Sequence, residues 1–285
     1  MLCVEIDCLA TLLNALTRKE DKTPLSVIYY WVVVGAPKAN FTTHPYITKP
    51  GNIYKCKLDF KQQTQSACEP LNLKNSDTFR FPTEPGYEED NQLLGASMAV
   101  IDDKIVTCAP LWKNMIPIRS SNIVYPIGRC SNIAKTLNTF TSVPFKKTYF
   151  SENQTGSEFT YEFAETGFSI SNKKYVDTQF DTLLGTPGFY ENKGGFFQYN
   201  PLATTDPFFI SFTHKAFNQE DQRQSIEMGT LLGYSISTGK LEDGDPNCPA
   251  VVILGAPHFV TTNGIVGSVL VVCANYSSGK HMIIK

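Results

Sequence analysis

The chain has 285 residues, enough to bury a large core, with 25 Lys plus Arg against 27 Asp plus Glu and a formal charge of −2. That near balance gives no general attraction for nucleic acid or for an anionic membrane surface. Nowhere do about 20 apolar residues run together, so no segment reads as a transmembrane helix.

In chain order, Met1 to Leu16 is apolar but carries Glu5 and Asp7 and has no basic residue before Arg18. A secretory signal has a basic start and an uncharged core, so this stretch reads instead as a truncated or alternative start, with Leu13 to Leu16 standing where a first strand belongs. The β-prone run Tyr29 to Val34 then leads into Gly35-Ala36-Pro37, and Gly51-Asn52-Ile53-Tyr54 opens another strand. Next come Leu94-Gly95-Ala96-Ser97, then Lys104 to Thr107 running into Cys108-Ala109-Pro110, then Gly128-Arg129-Cys130. The same series continues with Gly167-Phe168-Ser169, with Thr182 to Leu184 before Gly185-Thr186-Pro187, and with Gly195-Phe196-Phe197. It closes with Leu232-Gly233-Tyr234-Ser235, with Val251 to Leu254 before Gly255-Ala256-Pro257, and with Gly267-Ser268-Val269.

The four prolines 37, 110, 187 and 257 recur at steps of 73, 77 and 70 residues, so the unit of construction is a repeat. Within it the order is a Gly-x-Ser strand, a variable loop, a strand ended by Gly-x-Pro, and a strand opened by Gly. Proline ends a strand because it lacks the ladder donor and fixes φ. Four strands in roughly 70 residues is the content of one propeller blade. A β-sandwich with incidental Gly-Pro turns is the alternative; three sub-motifs in constant order argue against it. The expected class is therefore all-β, a β-propeller with about four blades.

Enzymatic signatures are weak. Histidines at 44, 214, 258 and 281 share no spacing, and no zinc or phosphate-loop pattern occurs. Gly167-Phe168-Ser169-Ile170-Ser171 and Gly233-Tyr234-Ser235-Ile236-Ser237 begin like a nucleophile elbow, but each has Ser where the elbow needs its second Gly, and the context is β rather than strand-to-helix.

Together these sub-motifs resemble the FG-GAP repeats of an integrin alpha subunit over residues 13 to 275, in a form closest to the laminin-binding type without an inserted domain. Only 37 residues separate Cys130 from Gly167, too few for such a domain. The resemblance places an atypical start at 1–12 and blades at 13–75, 76–140, 141–205 and 206–285, four of the family's seven, in an incomplete ring. The first blade lacks a clear Gly-x-Ser strand, and the third cysteine pair of many relatives is absent. An open ring leaves an apolar face and unpaired edges, so the stretch expressed alone is expected to be poorly soluble.

The resemblance implies disulfides Cys56–Cys68 and Cys108–Cys130 and an oxidising compartment, the alternative being four buried, reduced thiols. Cys3, Cys8, Cys248 and Cys273 have no assigned partner. Sequons stand at Asn40, Asn153 and Asn275, with glycan favoured at the first two. Metal is not expected here. Aligning Asp243-Gly244 with the family's calcium loop puts Gly239 and Leu241 at ligand positions, so calcium belongs to later blades of a full-length relative.

The resemblance also implies a ligand-binding rim. The loop Gly188-Phe189-Tyr190-Glu191 is similar to one that contacts ligand in relatives recognising Arg-Gly-Asp, which makes Phe189 and Tyr190 candidates. Relatives that bind an Arg side chain carry an acid before the fourth Gly-x-Ser strand. Here Met228 holds that register and Glu227 is its neighbour, which favours a laminin-type ligand. The implied function is non-enzymatic: the ligand-binding head of an adhesion and signalling receptor at the cell surface. Its partners would be a beta subunit and an extracellular matrix protein, with the membrane reached only through a C-terminal segment beyond Lys285. The alternatives are an accessory propeller of a secreted enzyme and a stand-alone extracellular binding propeller.

Overall fold

A computed structural model of the chain describes residues 11–19, 29–40, 45–58, 68–71, 87–101, 104–118, 121–134, 137, 140–142, 163–175, 179–199, 227–239, 251–261, 264–274 and 281–284. Two compact units form. One comprises Met1–Lys113 with Arg129–Val143, the other Asn114–Gly128 with Pro144–Lys285.

In the first unit, β1 (Thr11–Lys19), β2 (Tyr29–Ala36), β3 (Asn52–Leu58) and β4 (Cys68–Pro70) form one antiparallel sheet in sequence order. Thus the Leu13 to Leu16 stretch does lie in a leading strand, although its pairing with β2 shifts register between Leu13 and Thr17. After a two-residue strand, β5 (Tyr87–Glu88), comes a second sheet from β6 (Ser97–Ile101) and β7 (Lys104–Ala109). The paired strands β8 (Lys113–Ile118) and β9 (Ser121–Pro126) belong, from Asn114 on, to the second unit, after which β10 (Arg129–Ala134) and β11 (Phe140–Ser142) complete the second sheet in the order β6-β7-β10-β11.

The second unit repeats the scheme. β12 (Ile170–Tyr175) and β13 (Gln179–Gly185) are followed by a single helical turn, α1 (Phe189–Asn192), and by β14 (Phe196–Tyr199). The fourth sheet is β15 (Ser235–Gly239), β16 (Val251–Ala256), β19 (Ser268–Ala274) and β20 (His281–Ile284), with the hairpin β17 (Val260–Thr261) and β18 (Gly264–Ile265) between its middle strands. The fold is all-β, and no helix among the described residues is long and apolar enough to cross a membrane.

The sequence repeat is a repeat of hydrogen bonds. After each Gly-x-Pro phrase, or its Cys108 counterpart, the chain turns in the same way: the amides of Ala39, Trp112, Phe189 and Phe259 donate to the carbonyls of Ala36, Ala109, Thr186 and Ala256 at 3.0, 3.1, 3.1 and 3.3 Å. The amides of Gly95, Gly167 and Gly233 donate to the carbonyls of Cys108, Gly185 and Gly255, each at 3.0 Å, which fixes the leading strand on its neighbour. Ahead of those glycines, Leu93, Glu165 and Leu231 all take left-handed φ values of 60°, 51° and 56°.

Register corrects one equivalence. Gly35 pairs with Ile53, and Gly185 pairs with Phe196, so the counterpart of Gly51 is Gly194 rather than Gly195. Both glycines form a parallel bridge to the residue before the next Gly-x-Ser strand, Gly51 to Leu94 and Gly194 to Leu232. Both hold positive φ, 82° and 85°, and a Cβ at either would collide with the backbone of its bridge partner. Glycine alone satisfies both conditions.

Two disulfides join neighbouring strands, Cys56–Cys68 between β3 and β4 and Cys108–Cys130 between β7 and β10. They are the two pairs the resemblance implied. In the second unit, Leu183 and Phe196 of the third sheet pack with Leu232, Val252, Leu254, Leu270 and Val272. Burying one such side chain contributes about 1.5–3 kcal/mol, so the contact between the third and fourth sheets is a substantial source of stability in this unit.

Candidate functional site

Antiparallel alternation puts the Gly-x-Pro turn, the start of the following Gly-led strand and the start of the Gly-x-Ser strand at the same end of each sheet. In the second unit this end is built from two stretches that lie far apart in sequence. After Pro187 the chain makes α1, closed by the Asn192 amide donating to the Gly188 carbonyl at 3.3 Å, with Asn192 itself at φ 60°. Asn tolerates that conformation, which suits it to end a helical turn. The segment from Glu227 then runs alongside: the Leu231 amide donates to the Asn192 carbonyl at 3.1 Å, and the Leu232 amide to the Lys193 carbonyl at 3.0 Å. The loop and the pre-strand segment singled out in the sequence are therefore brought side by side.

Their side chains play different parts. Phe189, expected at a ligand surface, is turned inward. It is 1% exposed and meets Phe197 edge-on at 5.5 Å, so packing is its role and it offers no surface. Tyr190 lies in the same turn, and only its backbone is described. Glu227 is exposed, and its carbonyl accepts from the Thr230 hydroxyl at 2.6 Å and the Thr230 amide at 3.3 Å, which folds the segment into a tight turn. At the tip of that turn Met228 is 65% exposed.

The sequence did not single out the aromatic surface at this end. Phe163, 46% exposed, stands edge-on to Tyr125 at 5.5 Å, and Gly188 lies so close beneath the Phe163 backbone that a side chain there would clash. Tyr234, 47% exposed, leans on Phe168 at 4.6 Å. Both Phe168 and Tyr234 hold the variable position of a Gly-x-Ser strand, and that shared place was the available signal. Beside the first pair in sequence, Glu165 is partly buried, and desolvation pushes its carboxyl above the usual range. The end thus combines exposed aromatic and thioether surface with two carboxylates, a composition suited to gripping a protein partner.

The Ser169 hydroxyl, at the elbow-like motif, donates to the Gly233 carbonyl at 2.8 Å and ties the third sheet's leading strand to the fourth's. Among the described residues no three His, Cys, Asp or Glu side chains converge as metal ligands. The acidic stretch 242–247 lies outside the described residues, as do Asn153, Asn275, Cys3, Cys8 and Cys248, while Cys273 is placed only as a strand position in β19. Asn40 is exposed, and its side-chain oxygen accepts from the Lys49 amide at 2.9 Å, which fixes the oxygen inward and leaves the amide nitrogen as the group a glycan would take.

Over about four-fifths of its length the chain is integrin alpha-like. Integrin alpha-4 of Xenopus laevis is 28% identical over 237 residues, covering 82% of this chain and 19% of that protein. Integrin alpha-8 of Mus musculus is 26% identical over 241 residues (80% of this chain, 21% of that one), and integrin alpha-V of Gallus gallus 27% over 241 residues (83% and 21%). The chain spans about a fifth of the length of these relatives. No family model matches it.

Proposed function

We propose that this chain is part of the ligand-binding head of an integrin-like alpha subunit, a non-enzymatic adhesion receptor of the cell surface that works with a beta subunit. The observation that carries the reading is the similarity to integrin alpha subunits across some four-fifths of the chain. The constant hydrogen-bond register of its sheets supports reading them as blades of one propeller. On this reading the end that carries the Gly-x-Pro turns binds matrix ligand, with Tyr190 and Glu227 as contacts and the exposed Met228 and Tyr234 as apolar anchors.

Met228 stands where an acid would serve an Arg-bearing ligand, so the proposed ligand is a laminin-type matrix protein rather than an Arg-Gly-Asp sequence. The proposed glycan at Asn40 fits a secreted, disulfide-bonded chain. Calcium, where the receptor needs it, would sit in repeats with Asp-rich loops rather than in the stretch described here.

The test is co-expression of the full-length subunit with a beta subunit, followed by adhesion of the cells to laminin and to an Arg-Gly-Asp surface. Stable co-purification and preferential adhesion to laminin are expected. Met228→Asp should then shift adhesion toward the Arg-Gly-Asp surface. Failure to co-purify with any beta subunit would remove the receptor reading, and full block of adhesion by an Arg-Gly-Asp peptide would remove the laminin assignment.

A further inference from the structure

The two disulfides of the first unit hold the same place in their ladders and lie in very different surroundings. Each joins residues that face each other directly across antiparallel strands, Cys56 with Cys68 and Cys108 with Cys130. Cys108 and Cys130 are both 0% exposed. Their strands, β7 and β10, lie inside the second sheet, with β6 on one side and β11 on the other, and share six paired positions. A reagent reaches that bond only after the sheet parts.

Cys56–Cys68 lies at a margin. β4 is the edge strand of the first sheet, three residues long, and all three are exposed. Its pairing with β3 is limited to Tyr54 with Pro70, Lys55 with Glu69 and Cys56 with Cys68, and Pro70 has no N–H to give the ladder. The ion pair between Lys55 Nζ and Glu69 Oε2, at 3.1 Å, involves an exposed carboxylate and adds little. The firmer fastenings are the disulfide at one end of β4 and Leu71 just past the other, a buried residue whose amide donates to the Ile53 carbonyl at 2.7 Å. Ile53 stands two residues from Gly51, the latch glycine whose bridge to Leu94 seats the leading segment of the second sheet, as Gly194 does with Leu232. A short edge strand is thus fastened by one accessible covalent bond, beside a contact between two sheets.

We propose that Cys56–Cys68 is a reducible clasp, opened by thiol–disulfide exchange with a dithiol reductant, while Cys108–Cys130 is a permanent brace. Access separates them, because exchange begins when a thiolate reaches a sulfur of the bond. A thiolate of the reductant attacks Sγ of the exposed Cys68, forms a mixed disulfide and expels Cys56 as a thiolate, which takes up a proton. The reductant's second thiolate then attacks its own sulfur in the mixed disulfide, closes the reductant's disulfide and releases Cys68, which is protonated in turn. Two electrons and two protons pass from the dithiol to the cystine. Opening lets β4 leave β3, uncovers Leu71 and removes the donor from the Ile53 carbonyl near the Gly51–Leu94 bridge. The second sheet keeps its own bond, so the change stays local. The inference needs neither a beta subunit nor a matrix ligand, and its failure would leave the proposed function standing.

The experiment treats the full chain, its free thiols first blocked, with graded dithiothreitol at about pH 8, where the reagent's thiolate is populated. Newly released thiols are trapped with a second alkylating reagent and located by peptide mapping. Cys56 and Cys68 should be trapped at least about tenfold faster than Cys108 and Cys130, as expected when one bond is open to solvent and the other must wait for its sheet to part. Simultaneous release of both pairs, or release of Cys108–Cys130 first, overturns the proposal. The doubly substituted chain, Cys56→Ser with Cys68→Ser, gives a second readout with no reductant present. Its Cys108–Cys130 bond should resist dithiothreitol as in the parent chain, while hydrogen exchange at the Leu71 amide rises about tenfold and that of the β10 amides does not change. Loss of that resistance would make Cys56–Cys68 a brace of the whole unit, and an unchanged Leu71 amide would make it idle; either result overturns the clasp.

Discussion

The third and fourth sheets share strand order, register and turn, and differ in what lies against them. Phe196 and Val269 pair with equivalent glycines of the repeat phrase, yet one is 1% and the other 65% exposed. A repeat therefore fixes the backbone of its unit, while the neighbour fixes what each position contributes to stability.

The largest expected effect tests that directly. Truncating Phe196 to Ala should cost about 3–5 kcal/mol, because the side chain leaves a cavity between two sheets. Truncating Val269 to Ala should change stability by no more than about 0.5 kcal/mol, as at other exposed sites. Denaturant unfolding of the two variants decides the matter. Similar losses at both sites would mean that the fourth face is covered in solution and that the contrast between the sheets is not real.

A smaller effect is expected at the latch glycines. Gly194→Ala meets both a left-handed φ and a backbone collision with Leu232, whereas Gly267→Ala meets the left-handed φ and only a tight approach to the Pro257 carbonyl oxygen at 3.2 Å. That conformation alone costs an alanine about 1–2 kcal/mol, so Gly267→Ala should lose roughly that amount and Gly194→Ala distinctly more. The same denaturant midpoints show it, and equal losses would mean that the Gly194–Leu232 bridge adds nothing.

Much of this architecture was legible in the sequence because its signals are local. Apolar runs stopped by Gly-x-Pro, or by Cys108-Ala109-Pro110, gave β2, β7, β13 and β16, whereas the two cross-strand bridges came from the family resemblance. What failed depends on tertiary choice. The doublet Gly194-Gly195 offers two glycines for one latch, and only pairing with β13 selects the first. Phe189 sits on a turn that could face either way, and its contact with Phe197 decides in favour of the core.

The hairpins were missed for a different reason. β17 and β18 are two residues each, too short to show the alternation by which strands are read. Likewise the candidate ligand end was only partly legible: the sequence pointed to two stretches, but their hydrogen bonds through Asn192 and Lys193 and the exposed pairs around Phe163 and Tyr234 arise only on folding.

The smallest effect concerns one position at which the repeats differ in charge. Leu93 and Leu231 precede the Gly-x-Ser strands of the second and fourth sheets, and Glu165 holds the same left-handed place in the third. Because burial raises the Glu165 carboxyl above its ordinary value, the folded chain holds its proton to higher pH than the unfolded chain does. The stability this group allows is thus full below the ordinary carboxyl range and falls as pH rises through the raised value. Unfolding midpoints taken between about pH 4 and pH 8 should decline more in the parent chain than in Glu165→Gln. Glu165→Leu, which restores the residue of the other two repeats at the same φ, should be the most stable of the three near neutrality. The gain is modest, since solvent still reaches part of the carboxylate and screens it. A parent chain whose midpoint rises relative to Glu165→Gln over that interval would mean that a nearby cation, not desolvation, governs the group, and that the third repeat has given its position a partner where the other two have only packing.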